Sequence, residues 1–219
     1  MPDGPTAPTF HVKHPPAAAR SLLGDRTDDL LPYAGWLATA AIERGLLGPR
    51  EGPRLWERHL LNCAAVAGAV PRAADVVDIG SGAGLPGLVW AVLRPDLQIT
   101  VVDPLLRRVA FLDEVIASLR LPNVHTRRAR AQDLSGVVSA DVVASRAVAP
   151  LTKLADWCLP LVRPGGAMWA MKGRSAEQEM LTAMSHLQRA GAGETVLGTY
   201  GEGVLNPPAR VVHVRVPSA

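Results

Sequence analysis

Asp78, Asp103, Arg146 and Lys172 each close a short apolar run, and the first of them opens a glycine turn. The turn reads Asp78-Ile-Gly-Ser-Gly-Ala-Gly-Leu-Pro-Gly-Leu88, with glycine at 80, 82, 84 and 87. An apolar run, a glycine turn and a second apolar run make the opening unit of a nucleotide-binding sheet. In such sheets the ligand lies beyond the carboxyl ends of the strands. Carboxylates at that edge accept hydrogen bonds from ribose hydroxyls or an ammonium. Cations there hold a carboxylate or a phosphate.

Glycine spacing alone leaves the ligand open. Gly82-Ala-Gly-Leu-Pro-Gly87 formally matches the dinucleotide fingerprint, so NAD or FAD is one reading. Its last glycine, however, follows Pro86, which has no N–H to offer a pyrophosphate. A carboxylate at Asp78 directed at the ligand would repel a pyrophosphate and suit the ammonium and ribose side of S-adenosylmethionine (SAM). Asp103 is placed for the ribose hydroxyls of either ligand. The balance favours SAM, with Asp78, Gly80, Gly82, Gly84 and Asp103 as the cofactor set. Ala131, Gln132 and Asp133 follow the third strand and flank the adenine, and Arg146 is placed for the SAM carboxylate or a substrate phosphate.

The methyl acceptor is read from what the chain lacks. Cys63 and Cys158 lie inside apolar helical patterns, away from strand ends, so a covalent cysteine is not expected. Asn206-Pro-Pro-Ala209 lacks an aromatic stacker and reads as a turn. No metal-ligand spacing is present. A ring nitrogen with a free lone pair, such as guanine N7, needs orientation and no strong base. Arg146, Lys172 and His59 are the substrate-side candidates. Trp56, His59 and Asn62 recur every third residue and share a helix face toward the substrate entrance.

These residues need a scaffold. Residues 1–19, with prolines at 2, 5, 8, 15 and 16, read as a disordered tail. Residues 20–70 read as a helical extension. One helix is expected from Ala18 to Leu31, stopping at Pro32, a second from Tyr33 to Leu47, and a third after Pro53. Residues 71–219 alternate strand and helix and end in two strands. The expected fold is α/β and Rossmann-like: a mostly parallel seven-stranded sheet with an antiparallel C-terminal hairpin, plus N-terminal helices. In the helix after Asp103, Leu105, Val109, Leu112, Val115, Ile116 and Leu119 form the buried stripe. Arg163-Pro-Gly-Gly166 reads as a turn, and Ser175-x-x-Gln178 as a capping box.

Net charge is +3, and arginine supplies 20 of the 23 basic residues. Arginine pairs bidentately with phosphate and stacks on bases, which suits an RNA partner. Arg107 and Arg108 near a helix start oppose its dipole, and Arg127, Arg128 and Arg130 form the densest positive cluster. No apolar run reaches membrane-spanning length, so a cytoplasmic protein is expected, acting as a monomer.

The chain resembles the bacterial small-subunit rRNA methyltransferase G family (RsmG, formerly glucose-inhibited division protein B). The resemblance rests on Arg58-His-Leu-Leu-Asn62, Asp78 to Leu88, Asp103-Pro-Leu-Leu-Arg-Arg-Val-Ala-Phe-Leu112, Ser145-Arg-Ala147 and Met171-Lys-Gly173. It implies a SAM-dependent guanine-N7 methyltransferase acting on the decoding-region loop of 16S rRNA, free or in the small subunit. By motif position it implies that Gly80, Leu85, Ala131, Gln132 and Arg146 contact SAM, with Asp103 near the ribose. It implies RNA contacts for Arg107, Arg108, Lys172 and His59, to which Arg127 and Arg128 are added on charge. Gln132 stands where the family usually has glutamate. The alternative is a SAM-dependent enzyme for a small molecule.

Overall fold

The computed structural model describes residues 14–146 and 148–218. Its strands are β1 (Asp75–Ile79), β2 (Gln98–Val102), β3 (Val124–Arg127), β4 (Ala140–Arg146), β5 (Val162–Lys172), β6 (Thr195–Tyr200) and β7 (Ala209–Arg215). They form one sheet ordered β3-β2-β1-β4-β5-β7-β6. β1 to β5 run parallel, and β7 is antiparallel to both its neighbours. This is the expected methyltransferase sheet.

The helices are α1 (Ala17–Leu23), α2 (Leu31–Ala38), α3 (Ala40–Glu43), α4 (Leu61–Ala67), α5 (Gly87–Leu93), α6 (Leu106–Leu119), α7 (Leu151–Cys158) and α8 (Ala176–Arg189). A 3-10 segment, Pro49–Arg54, and a π-helical turn, Leu55–Leu60, lead into α4. Among the described residues, no helix is long and apolar enough to cross a membrane.

Proline accounts for two differences from expectation. The tail expected over 1–19 lies partly outside the described residues, and α1 already begins at Ala17, just after Pro16. Pro32, expected to stop a helix, sits in the first turn of α2 instead. There its missing N–H costs nothing, because first-turn donors have no partner inside the helix. The helix expected to run on to Leu47 breaks at Thr39. Arg163 to Gly166, expected as a turn, is the start of β5, where the register against β4 shifts. Ser175 makes no side-chain cap. Leu105, expected in the buried stripe, is exposed, and Phe111 is buried instead.

Side chains alternate between two cores, one on each face of the sheet. Val76, Ala144, Trp169 and Met171 face the N-terminal helices and α5. Val77, Val143, Met168 and Ala170 face α7 and α8. The N-terminal helices therefore form one layer on the shared core. Three of the polar ties that fix that layer show how it docks. Tyr33 Oη donates to Ala83 O at 2.8 Å. Trp90 Nε1 donates to Cys63 O at 2.9 Å. Arg44 pairs bidentately with Glu114 at 2.9 and 2.8 Å.

The Tyr33 tie is the one that reaches the glycine turn, and both residues are buried. Tyr33→Phe removes the donor and leaves a buried carbonyl unpaired. The expected cost is about 1–2 kcal/mol, read from urea unfolding. A change within error would show that the tie contributes nothing.

Candidate functional site

Most N–H groups of the glycine turn point inward. Gly80 and Ser81 both donate to Val102 O, at 2.9 and 3.0 Å. Gly84 and Leu85 donate to Ser81 O, at 2.7 and 3.1 Å. Gly82 donates to Asp103 Oδ2 at 3.2 Å, and Gly87 to Asp78 Oδ2 at 3.0 Å. By contrast, the carbonyls of Gly80 and Gly82 receive no donor among the described residues. Such a turn meets a ligand with acceptors, which suits an ammonium or hydroxyls and opposes a pyrophosphate. SAM carries those donors, so the residues present fit it.

The glycines divide by task. Gly84 has φ +102°, and a Cβ there would lie 2.5 Å from Leu88 Cδ1 and 2.8 Å from Tyr33 Oη. It is glycine so that the helical layer can reach the turn. At Gly82, with φ +58°, a Cβ would meet only Gly80 O, at 3.9 Å, so this position opens to the crevice. Leu85, expected to touch the cofactor, packs into the core.

Asp78 was expected to face the ligand, and the structure corrects this. It lies on the same face of β1 as Val76 and is fully buried, braced against Gly87 at the start of α5. Its Oδ1 has no partner among the described residues. Burial pushes its pKa up from 3.8 to about 7, partly offset by the Gly87 N–H, Ser81 and the Arg146 charge.

Asp103 is also fully buried. It accepts from Gly82 N–H, from Leu105 N–H at 3.0 Å and from Arg108 Nη1 at 3.1 Å. A carboxylate offers about four acceptor sites, so one remains for a ribose hydroxyl. Arg108, expected to face RNA, is folded back onto this carboxylate, because a buried charge needs a counter-charge. Ala131 is buried and Gln132 exposed, in the 3-10 turn Ala131–Leu134 that follows β3.

Arg146 ends β4 on the face toward the N-terminal layer. Its Nη2 lies 2.9 Å from Arg58 O and 3.0 Å from His59 Nδ1. His59 Nε2 in turn lies 2.6 Å from Glu51 Oε2. Arg146 also borders a cavity of about 750 Å³, walled further by Arg54, Arg58, Asn62, Arg174 and Arg210. The Asn206-Pro-Pro segment, read as a turn, lies in the β6–β7 loop and closes one side.

Lys172 also lines this cavity, but its side chain does not join the cation group. Arg146 pairs with Met171, so Lys172 points to the opposite face of the sheet. There its Nζ donates to Ala149 O at 2.7 Å and to Glu179 Oε1 at 2.8 Å. The expected free cation is half of a part-buried ion pair. Arg107 is exposed at the start of α6. Arg127, Arg128 and Arg130 are exposed at or just past β3, the edge strand. Three strand spacings, roughly 14 Å, separate β3 from β4. The structure thus brings together Arg146, His59 and Asn62, and leaves the β3 arginines apart.

Sequence reading missed Tyr33, Glu51, Arg54 and Arg210. Arg210 flanks a strand end, as Arg174 does after β5, and follows the same positional rule that singled out Arg146. Tyr33 and Glu51 carry no such signal, because only the docking of the N-terminal layer places them. Both thiols are buried, and burial pushes Cys63 up to about 11 and Cys158 to about 12, which suits packing and not nucleophilic attack.

Comparison with known proteins agrees with this geometry. A family model described as rRNA small subunit methyltransferase G matches residues 26–203. Proteins named Ribosomal RNA small subunit methyltransferase G from Salinispora arenicola and Thermobifida fusca are 53% and 49% identical. Their alignments cover 90% and 96% of this chain, and 85% and 89% of those proteins. The counterpart from Corynebacterium glutamicum is 46% identical, with 94% of each chain covered. A SAM-dependent methyltransferase of Aquifex aeolicus shares the fold at 14% identity and TM-score 0.56, over 81% of this chain and 97% of that one. Aeropyrum pernix fibrillarin, solved with bound SAM, does so at 15% identity and TM-score 0.55, over 72% and 75%.

Two outcomes follow from the carboxylates. Asp103→Asn loses the charged acceptor and is expected to weaken SAM binding about tenfold by calorimetric titration. Asp78 holds its proton more tightly folded than unfolded, so it costs stability as pH rises from about 4 to about 7. Asp78→Asn removes that cost. Urea unfolding should show the ligand-free variant gaining on the wild type across that window and holding the gain above it. Parallel curves at all pH values would refute the assignment.

Proposed function

The chain belongs to the rRNA small subunit methyltransferase G family, and from that premise we propose that it methylates N7 of a guanine in the decoding-region loop of small-subunit rRNA, with SAM as donor. The observation that carries this reading is the continuity of two sites through one side chain. Arg146 stands one residue past the Ile79–Ser145 pair, beside the start of the acceptor-lined glycine turn, and it also lines the arginine-rich cavity.

SAM, when bound, supplies a methyl group already activated on a sulfonium. The chain's own task is therefore alignment. Gly80, Gly82 and Asp103 hold the donor side. Arg146 borders the acceptor side, where its guanidinium donates to guanine O6 or a phosphate. The N7 lone pair lies in the ring plane and needs no base to expose it. A cavity of about 750 Å³ admits a nucleotide but not a paired duplex, so the target base enters from an unpaired or opened position. Arg174 and Arg210 at its wall are placed for the flanking phosphates. Arg107, Arg127 and Arg128 are a second contact with the same backbone. A ribosomal RNA substrate supports a cytoplasmic protein, which this reading takes to act as a monomer.

Mapping of m7G by alkali and aniline cleavage tests reaction and site together. Small-subunit rRNA from a strain lacking this gene should lose one cleavage in the decoding-region loop, and persistence of that cleavage would refute the proposal. In vitro, Arg174→Ala with Arg210→Ala should raise the KM for rRNA about tenfold and reduce the salt slope by about two, with SAM affinity unchanged.

A further inference from the structure

We propose that Glu51 is a positioning residue for methyl transfer: through the His59 ring it fixes how Arg146 presents its guanidinium to the cavity. The relay rests on geometry, and its effect on turnover rests on the functional reading above.

Arginine has donors only. With Arg146 Nη2 at 3.0 Å, His59 Nδ1 must carry a lone pair. The ring proton then sits on Nε2, 2.6 Å from a Glu51 carboxylate oxygen that accepts it. One tautomer satisfies both contacts. The other would set N–H against guanidinium and a lone pair against a carboxylate, and the imidazolium fails on the Arg146 side.

The neighbouring contacts leave little slack. Arg146 Nη2 has both hydrogens directed, one to Arg58 O and one to His59. Its Nη1 and Nε make no hydrogen bond among the described residues, and Arg146 borders the cavity. Glu51 is itself held by Arg58 Nη1, 3.1 Å from its other oxygen. Without Glu51, the Arg146 contact alone is left to favour the Nε2–H tautomer, and the ring loses the acceptor that fixes its other nitrogen. The Nδ1–H form then turns Arg146 away from the orientation its other donors need.

The charged groups facing the ring are Glu51 from the 3-10 segment, Arg58 beside it and Arg146 from β4. Burial and the Arg146 charge hold the imidazole pKa below its usual value, and the Glu51 hydrogen bond and charge oppose them. Acidification protonates the ring and breaks the Arg146 contact, so turnover has an acid limb. Neutralising Glu51 disfavours the imidazolium further, so the limb moves to lower pH.

The test has a readout that needs no substrate. Nitrogen-15 NMR of the His59 ring in the SAM-bound protein should show the Nε2–H tautomer in wild type and Glu51→Gln, whose amide oxygen still accepts. It should show a mixture in Glu51→Ala. In single-turnover methylation of rRNA, Glu51→Ala should lose about tenfold in rate with SAM affinity within about twofold. Glu51→Gln should recover most of that and carry the shifted acid limb. In a His59→Asn background, where the amide oxygen takes the Nδ1 position, Glu51→Ala should have little further effect. Equal losses in Glu51→Ala and Glu51→Gln overturn the proposal, as does an undiminished Glu51→Ala loss in the His59→Asn background. A wild-type ring carrying its proton on Nδ1 overturns it whatever the substrate. A wild-type protein with the expected tautomer that methylates no rRNA overturns the functional reading and leaves the relay standing.

Discussion

The inward direction of the glycine turn's N–H groups sets the sign of everything that can bind above it. Val102, Ser81, Asp78 and Asp103 take those donors, so the open side presents carbonyl oxygen. A phosphate-binding turn makes the opposite choice and leaves its amides free for the anion. Here the buried Asp78 carboxylate forces the issue. It has one backbone donor, Gly87 N–H, and its second oxygen is unpaired among the described residues. Any outward rotation of the Gly87 amide would strip it of that donor. The turn is locked toward a cation-bearing cofactor by the group beneath it.

Strand parity then decides which strand-end residues can cooperate. Arg146 and Lys172 end adjacent parallel strands, and position alone makes them partners. Register assigns them to opposite faces, because Arg146 lies beside Met171 and not beside its neighbour. The face toward the N-terminal layer receives Arg146 and, on the next element, His59. The face toward α8 receives Lys172, which Glu179 neutralises. Lys172 holds the loop after β4 through Ala149 O, and so supports the segment that carries Val148 against Gly80.

Local pattern made the strands, the mostly parallel sheet with its terminal hairpin, and the residues at the strand ends readable. β-branched runs ending in Asp78, Asp103 and Arg146 each specify a strand with its functional residue at the carboxyl end. What the chain's pattern hid is everything decided between elements. Asp78 reads as a ligand-facing carboxylate until one counts its parity with Val76. Leu105 reads as part of an apolar stripe until Pro104 and the turn onto Asp103 place it before the first turn of α6. Pro32 reads as a stop until its place in a helix first turn is seen. Glu51 is one acid among many until the docked layer sets it against His59. Dense arginine along the sequence, at 127, 128 and 130, was also a poor guide to where arginine gathers in space. The cavity draws its five arginines from separate elements.

Those five arginines pose an electrostatic problem that identifies the kind of substrate the cavity suits. Methylation of a neutral ring nitrogen leaves the ring positively charged. That charge comes from the sulfonium, so an uncancelled guanidinium opposes the step only as far as it lies nearer the ring than the sulfur: about 5 Å against about 8 Å costs about 1 kcal/mol at an effective dielectric of 20. Several of them would slow the step by orders of magnitude. Among the described residues Glu57 is the carboxylate on the wall and Glu51 pairs with Arg58 from beside it, which together cannot offset all five. The missing negative charge must arrive with the substrate. A nucleic acid brings one phosphate per nucleotide, seated against the same arginines that would otherwise oppose the product. A free nucleoside brings none. The phosphates on either side of the target base are therefore part of the reaction's charge balance, and binding of the flanking chain must precede transfer.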